Sequence, residues 1–239
     1  MPLFLNSREP ELREKMDRPD CELSTLRNTY EQFSTINKLL GGWDKIYQKW
    51  IRPALLKESG TASILDIGCG GGDIIRMLSE MTTKDGLDVS FTGIDPDLRA
   101  IDFSREKNMD PYSDFFAKRS GELVQSNKQY SVVISNHLLH HLGDEELKDV
   151  CRDAEQLSSQ LIIFSDIERS DIGYGCFRTI APLLFKNSFI AEDGAISIRR
   201  SYRARELSEK LPSGWKVHNQ FPFRLLAIHQ KRVRNELNP

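Results

Sequence analysis

Cysteine is scarce in this chain and is never paired at close spacing. The four cysteines among 239 residues, Cys21, Cys69, Cys151 and Cys176, include no C-x-x-C pair, which argues against a zinc knuckle and against a disulfide framework. An excess of one charge is missing as well: 33 Lys and Arg stand against 35 Asp and Glu, a formal net charge of −2. Without a general basic field to gather nucleic acid, a tRNA or rRNA substrate is disfavoured. No stretch approaches the roughly 18 apolar residues of a membrane span, and the N-terminal Met-Pro-Leu-Phe-Leu is too short an apolar run for a signal peptide. A reduced, cytoplasmic location is therefore expected. Internal repeats and low-complexity tracts are also lacking, and the length suits one domain with an accessory segment.

What the sequence does contain is a dense glycine turn between two periodic segments. Residues 63–67 read as a short buried strand, Gly68, Cys69, Gly70, Gly71 and Gly72 follow, and after Asp73 the apolar residues Ile74, Ile75, Leu78 and Met81 mark one side of a helix. Glycines that join a strand to a helix let the backbone come close to a ligand. The dinucleotide fingerprint G-x-G-x-x-G needs its third glycine where this chain has Asp73, which counts against a nicotinamide dehydrogenase. A second strand, 91–95, ends in Asp95 about twenty residues further on, where a carboxylate can accept hydrogen bonds from both hydroxyls of a ribose. The two features together specify a nucleoside site.

Residues 131–135 read as a fourth strand with Asn136 at its carboxyl end, followed by His137, His140 and His141. Ligands of open parallel sheets bind beyond the carboxyl ends of the strands, which puts these residues at the expected reaction centre. The three histidines stand at i, i+3 and i+4, yet no acidic or cysteine ligand lies at suitable local spacing, so no metal is expected. Before the glycine turn, Ser24 is the expected N-cap of a helix carrying Leu26, Tyr30, Phe33, Ile36 and Leu40 and stopped by Gly41-Gly42; residues 43–49 give a second, with Trp43, Ile46, Tyr47 and Trp50 on one side.

Leu65-Asp66-Ile67-Gly68-Cys69-Gly70-Gly71-Gly72-Asp73, then Gly93-Ile94-Asp95, then the segment 130–142 with its Leu139-His140-His141-Leu142, resemble in that order the class I S-adenosylmethionine-dependent methyltransferases. The resemblance covers roughly residues 63–166. It implies an α/β fold, a Rossmann-like seven-stranded sheet with helices on both faces, over residues 61–239, with an N-terminal helical cap over 1–60 and a substrate-pocket insertion at about 169–204. It implies S-adenosyl-L-methionine as cofactor, held by Asp66, Gly68, Cys69, Gly70, Gly72, Asp95, Pro96, Asn136 and His137. Many relatives have an acid after the third strand that meets the adenine amino group; here Ser120 is either a neutral acceptor in its place or a solvated loop serine. His140 and His141 become the candidate catalytic residues, and His140 is the preferred general base.

The Asn/Asp-Pro-Pro-Tyr/Phe turn of exocyclic-amine methyltransferases is absent, since Asn136-His137-Leu138-Leu139 occupies its place. Methylation of a base nitrogen is thereby disfavoured. The aromatic N-terminal helices and the Phe- and Arg-bearing insertion favour a small, partly apolar acceptor. O-methylation of a phenolic or polyketide-like compound leads; C-methylation of a quinone or lipid precursor, a non-catalytic cofactor-binding regulator and an RNA-directed enzyme are the alternatives.

Overall fold

Seven strands of the computed structural model, which describes residues 4–58 and 60–231, form one sheet in the order β3-β2-β1-β4-β5-β7-β6. Residues 1–3, 59 and 232–239, at the ends of the expected cap and of the expected catalytic region, lie outside the described residues. The strands are β1 (Ala62–Ile67), β2 (Val89–Asp95), β3 (Ser113–Ala117), β4 (Tyr130–Asn136), β5 (Ser158–Ile167), β6 (Lys216–Gln220) and β7 (Arg224–Gln230). The first five are parallel; β7 runs antiparallel to β5, with Ile167 opposite Arg224, and β6 closes the edge. This is the class I methyltransferase sheet the motifs imply. Because the chain passes from β1 to β2 on one side and returns to β4 on the other, the crevice opens beyond the carboxyl ends of β1 and β4.

Alternation along the central strands builds a core on each face. Val132 and Ile134 of β4 with Leu161 and Ile163 of β5 face one cluster, and Val133, Ile162 and Phe164 face the other. Strands buried on both sides read as continuous apolar runs, which is why β1, β4 and β5 are legible in the sequence. On the first face lie α4 (Asp73–Lys84) and the continuous helical run of α2 (Trp43–Ile46), a π-helical stretch (Tyr47–Ile51) and α3 (Arg52–Leu55). On the second lie α7 (Asp144–Leu157) and α10 (Ala204–Lys210). The other helices are α1 (Leu23–Leu40), α5 (Leu98–Lys107), α6 (Ser120–Val124), α8 (Asp171–Leu184) and α9 (Ile190–Arg200).

Several local expectations are corrected. Ser24 is not the cap of α1: the Glu22 carboxylate accepts from the backbone N–H groups of Ser24 at 3.0 Å and Thr25 at 2.6 Å, an acid at the positive end of the helix. The second helical segment runs on past Lys49 to Leu55, with Pro53 in the first turn of α3, where a missing N–H is tolerated. The stretch 108–127, unreadable by periodicity, holds both β3 and α6; β3 is an edge strand with exposed Asp114 and Phe116, so its pattern is broken. The segment after β5 holds two helices packed on each other: α8, with Pro182 inside it, is the helix that residues 172–185 suggest, and α9 is one the sequence did not announce.

Candidate active site

The glycine turn is tied to the second strand by its own backbone. Gly68 and Cys69 both donate to the Ile94 carbonyl, at 2.8 and 3.0 Å, and Gly70 donates to the Asp95 carboxylate at 3.0 Å. The other Asp95 oxygen accepts from the Asp97 N–H at 2.8 Å. Burial raises the Asp95 pKa, and these two backbone donors work against that rise. Gly70 has φ +50° and an added Cβ would meet nothing, so open space lies over the turn; Gly72 has φ +74° and an added Cβ would stand 2.8 Å from the Phe115 ring. Gly72→Ala is expected to cost about 1–2 kcal/mol of stability for the left-handed conformation, with a melting temperature lower by about 2–8 °C. A thermal melt checks it, and an unchanged midpoint would contradict the steric account.

A cavity of about 740 Å³ opens beyond the carboxyl ends of the strands. Gly68, Gly70, Asp95 and Pro96 line one part of it, and Asn136, His137, His140 and His141 line another. Asp66, Cys69, Gly72 and Ser120 are not on its wall. Ser120 starts α6 and donates its hydroxyl to Asp153 at 2.6 Å, so that hydroxyl is already engaged away from the cavity. The Cys69 thiol is buried and its pKa is pushed well up, which makes it inert packing. Asp66 is buried with one carboxylate oxygen unpartnered, and burial together with Asp73 and Asp95 raises its pKa.

The aromatic residues of the first sixty divide by helix. Tyr30 and Phe33 of α1 line the cavity, whereas Trp43 and Tyr47 are core, the Tyr47 hydroxyl donating to Asp85 at 2.9 Å. Helix α1 is pinned over the glycine turn by Asn37, whose amide donates to buried Asp73 at 2.8 Å and whose oxygen accepts from Asn136 at 3.2 Å. Helices α8 and α9 supply the facing wall through Phe177, Ile180 and Ile198.

Charged groups cluster where β4 and β5 end. His140 sits in a short 3₁₀ turn (Leu139–His141); its Nδ1 lies 2.7 Å from Asp166 Oδ1, and its backbone N–H donates to Asp166 Oδ2 at 2.8 Å. The His140 Nε2 faces Glu14 Oε1 at 3.4 Å. His141 points its Nε2 at the same Glu14 oxygen, 3.7 Å away, and its Nδ1 at Asp17 Oδ2, 3.4 Å away. Burial opposes charge on His140, but Asp166 and Glu14 overcome it and raise its pKa to about 9. Burial likewise opposes charge on Glu14, and the nearby His140 and His141 rings bring it down to about 2. Both ring nitrogens of His140 therefore face carboxylates; His141, half-buried, is the more accessible of the two.

His137 plays a different part. Arg224 of β7 donates from Nη1 to His137 Nε2 at 2.9 Å and from Nη2 to Asn136 Oδ1 at 2.5 Å and Ser165 Oγ at 2.7 Å. A guanidinium only donates, so His137 Nε2 accepts and the ring is neutral. Burial and Arg224 push the His137 pKa well down, in agreement. His137 holds φ +61°, a strained conformation that this bond and the His137 N–H to Ser165 carbonyl bond at 2.9 Å secure.

Residues 64–159 match the family described as "Methyltransferase domain", and their strand order, glycine turn and acid-terminated second strand are those of class I. Residues 64–159 are a methyltransferase domain, and the sheet that carries them has the class I fold. Among solved structures, the chain is similar to the plantazolicin methyltransferase BamL in complex with a triazolic desmethylPZN analog and SAH, at 18% identity and TM-score 0.60 over 85% of this chain and 73% of that one. It is also similar to the plantazolicin methyltransferase BpumL in complex with SAH, at 17% identity and TM-score 0.57 over 92% and 93%. The magnesium protoporphyrin IX methyltransferase ChlM of Synechocystis PCC 6803 with bound SAH is similar at 14% identity and TM-score 0.51 over 87% of each chain. At these identities the likeness is one of fold. No curated protein sequence matches the chain.

S-adenosylmethionine fits the methyltransferase cavity on its own evidence: open space over Gly70, a carboxylate at Asp95, and a volume large enough for cofactor and acceptor together. Sequence reasoning missed Glu14, Asp17, Asn37 and Arg224. Glu14 and Asp17 lie in a segment without helix or strand, which periodicity cannot place, and Arg224 starts the inner strand of the closing hairpin, where a buried cation breaks the apolar run. Asp166, at the end of a buried apolar strand, carried the one signal that could have been used. No described helix is long and apolar enough to cross a membrane.

Proposed function

We propose that the methyltransferase transfers a methyl group to an oxygen of a small, partly apolar acceptor held between α1, α8 and α9. The carrying observation is that one cavity joins the glycine turn and Asp95 to the cluster of Glu14, His140 and His141. The cofactor supplies an electrophilic methyl on a sulfonium, already a good leaving group. In this reading the backbone of Gly68 and Gly70, with Asn136 and His137, borders its amino-acid end, and Asp95 accepts from its ribose. Residues 61–239 act as the catalytic unit and 1–60 as the cap.

Alignment of acceptor, methyl and sulfur supplies about 7–11 kcal/mol of the barrier in well-oriented reactions. Tyr30, Phe33 and Phe177 give the acceptor flat apolar contact, and α8 and α9 exclude water from above. A hydroxyl acceptor must also shed a proton or have its oxyanion stabilised, worth about 10²- to 10⁴-fold. The histidine and carboxylate groups beside the cavity suit that need better than they suit a carbon or amine acceptor. The plantazolicin methyltransferase crystallised with a desmethylPZN analog and the magnesium protoporphyrin IX methyltransferase, both of similar fold, support a small-molecule acceptor rather than a macromolecule.

A screen of phenols, quinones, short acids and RNA with labelled S-adenosylmethionine tests the reading. Label is expected on oxygen of a phenolic or hydroxy-acid compound; transfer to RNA alone, or to carbon alone, would replace it.

A further inference from the structure

We propose that Glu14, His140 and His141 hold one divalent transition-metal ion, zinc foremost, in the wall of the acceptor cavity. Both imidazoles are turned the same way. His140 bonds Asp166 through Nδ1 at 2.7 Å, His141 turns its Nδ1 toward Asp17 at a longer 3.4 Å, and each directs Nε2 at the same Glu14 oxygen. Metal-ligating histidines are held as His140 is, the second ring N–H donated to a carboxylate that fixes the tautomer and sharpens the ligand nitrogen. Nothing in the sequence spacing shows it, because the third ligand comes from far upstream.

The separations favour a shared ion over hydrogen bonds. His140 Nε2 is buried yet has no hydrogen-bond partner. Its 3.4 Å to Glu14 Oε1, and the 3.7 Å from His141, are long for an N–H···O bond, which falls at about 2.7–3.2 Å. They are close to the roughly 3.3 Å edge of a tetrahedron whose bonds measure about 2.0–2.1 Å. All three ligand atoms lie within 4.8 Å of one another. The ligands are also anchored: Ser197 of α9 donates to Glu14 Oε1 at 2.8 Å, and Asp193 accepts the N–H groups of Lys15 and Met16 at 2.8 and 2.9 Å. The neighbouring group of His137, His140 and Asp166 is closed instead, since Arg224 takes the His137 nitrogen and His140 Nδ1 bonds Asp166.

Two histidines and one carboxylate leave coordination positions for an incoming ligand. Glu14, His140 and His141 all border the cavity, so the open side faces the acceptor. The ion would bind a hydroxyl and lower its pKa, making the oxygen nucleophilic near neutral pH. This deepens the proposed O-methylation, on which it rests for the acceptor alone: the favoured substrate presents a hydroxyl oxygen to the ion.

The untagged chain, stripped with chelator and reloaded with zinc chloride, is assayed for bound metal by inductively coupled plasma mass spectrometry, with S-adenosylhomocysteine binding measured in parallel. One zinc per chain is expected. Glu14→Gln and His141→Ala should each weaken zinc binding by a hundredfold or more, and Asp17→Asn by about ten- to a hundredfold, while S-adenosylhomocysteine still binds. Loading below about a tenth of an ion per chain, or unchanged loading in the Glu14→Gln/His141→Ala double variant, would overturn the site, the latter pointing to adventitious binding by thiols such as exposed Cys176. Metal loading is read without turnover, so a chain that binds zinc but methylates no oxygen defeats only the proposed function, and a zinc-free active enzyme defeats only the metal.

Discussion

Asp95→Ala is expected to weaken S-adenosylhomocysteine binding by about 1.5–3 kcal/mol, on the order of ten- to a hundredfold, in isothermal titration. Two losses combine in that figure. The carboxylate stands at the end of β2 on the cavity wall, where it can accept from ribose hydroxyls, and it already fastens Gly70 by an N–H bond of 3.0 Å. Removing it frees the Gly70 N–H and loosens the turn that the ligand rests on. Asp95→Asn separates the two effects, because an amide oxygen still accepts one bond but carries no charge. Its affinity should fall between wild type and the alanine variant. Equal affinity in all three proteins would place the ribose elsewhere.

His140→Ala should cost stability before it costs chemistry. The imidazole lies between Asp166 and Glu14, all three almost wholly buried. In the metal-free protein, removing it leaves two carboxylates in the interior, and breaking a buried charge pair by deleting one partner costs about 3–5 kcal/mol. For a chain of this size that corresponds to a melting temperature lower by about 6–20 °C. Asp166 keeps its bonds from the backbone N–H groups of His140 and Ile167, so Glu14, which faces only side chains at that end, should be the more exposed to the loss. Accordingly, Glu14→Gln combined with His140→Ala should recover part of the lost stability. A single variant that melts with wild type would show that the charges are solvated and the cluster is loosely held.

The sheet was largely legible because its strands are buried on both faces. Ile64 to Ile67, the run Val132 to Ile134 and the run Leu161 to Phe164 admit little but strand, and glycines at left-handed positions mark the turn at Gly68 to Gly72. Edge elements were less so: β3 alternates with exposed residues, and α9 follows α8 with neither a glycine nor a proline to divide them. Among the residues expected to form the site, Gly68, Gly70, Asp95, Pro96, Asn136, His137, His140 and His141 do border one cavity, since all sit at carboxyl ends of parallel strands or just beyond. Ser120 does not, because its hydroxyl turns to Asp153 of α7.

By itself the sequence determined the α/β sheet, the glycine turn and the acid that ends the second strand, since each depends on residues adjacent in the chain or on a strict period. Only the tertiary structure decided the electrostatics of the reaction centre. Whether a histidine is neutral, like His137 under Arg224, or set between two carboxylates that favour its charge when no metal is bound, like His140, depends on groups brought together from distant segments. Charge interactions act through space at a few ångströms, and a linear order of residues does not contain those distances.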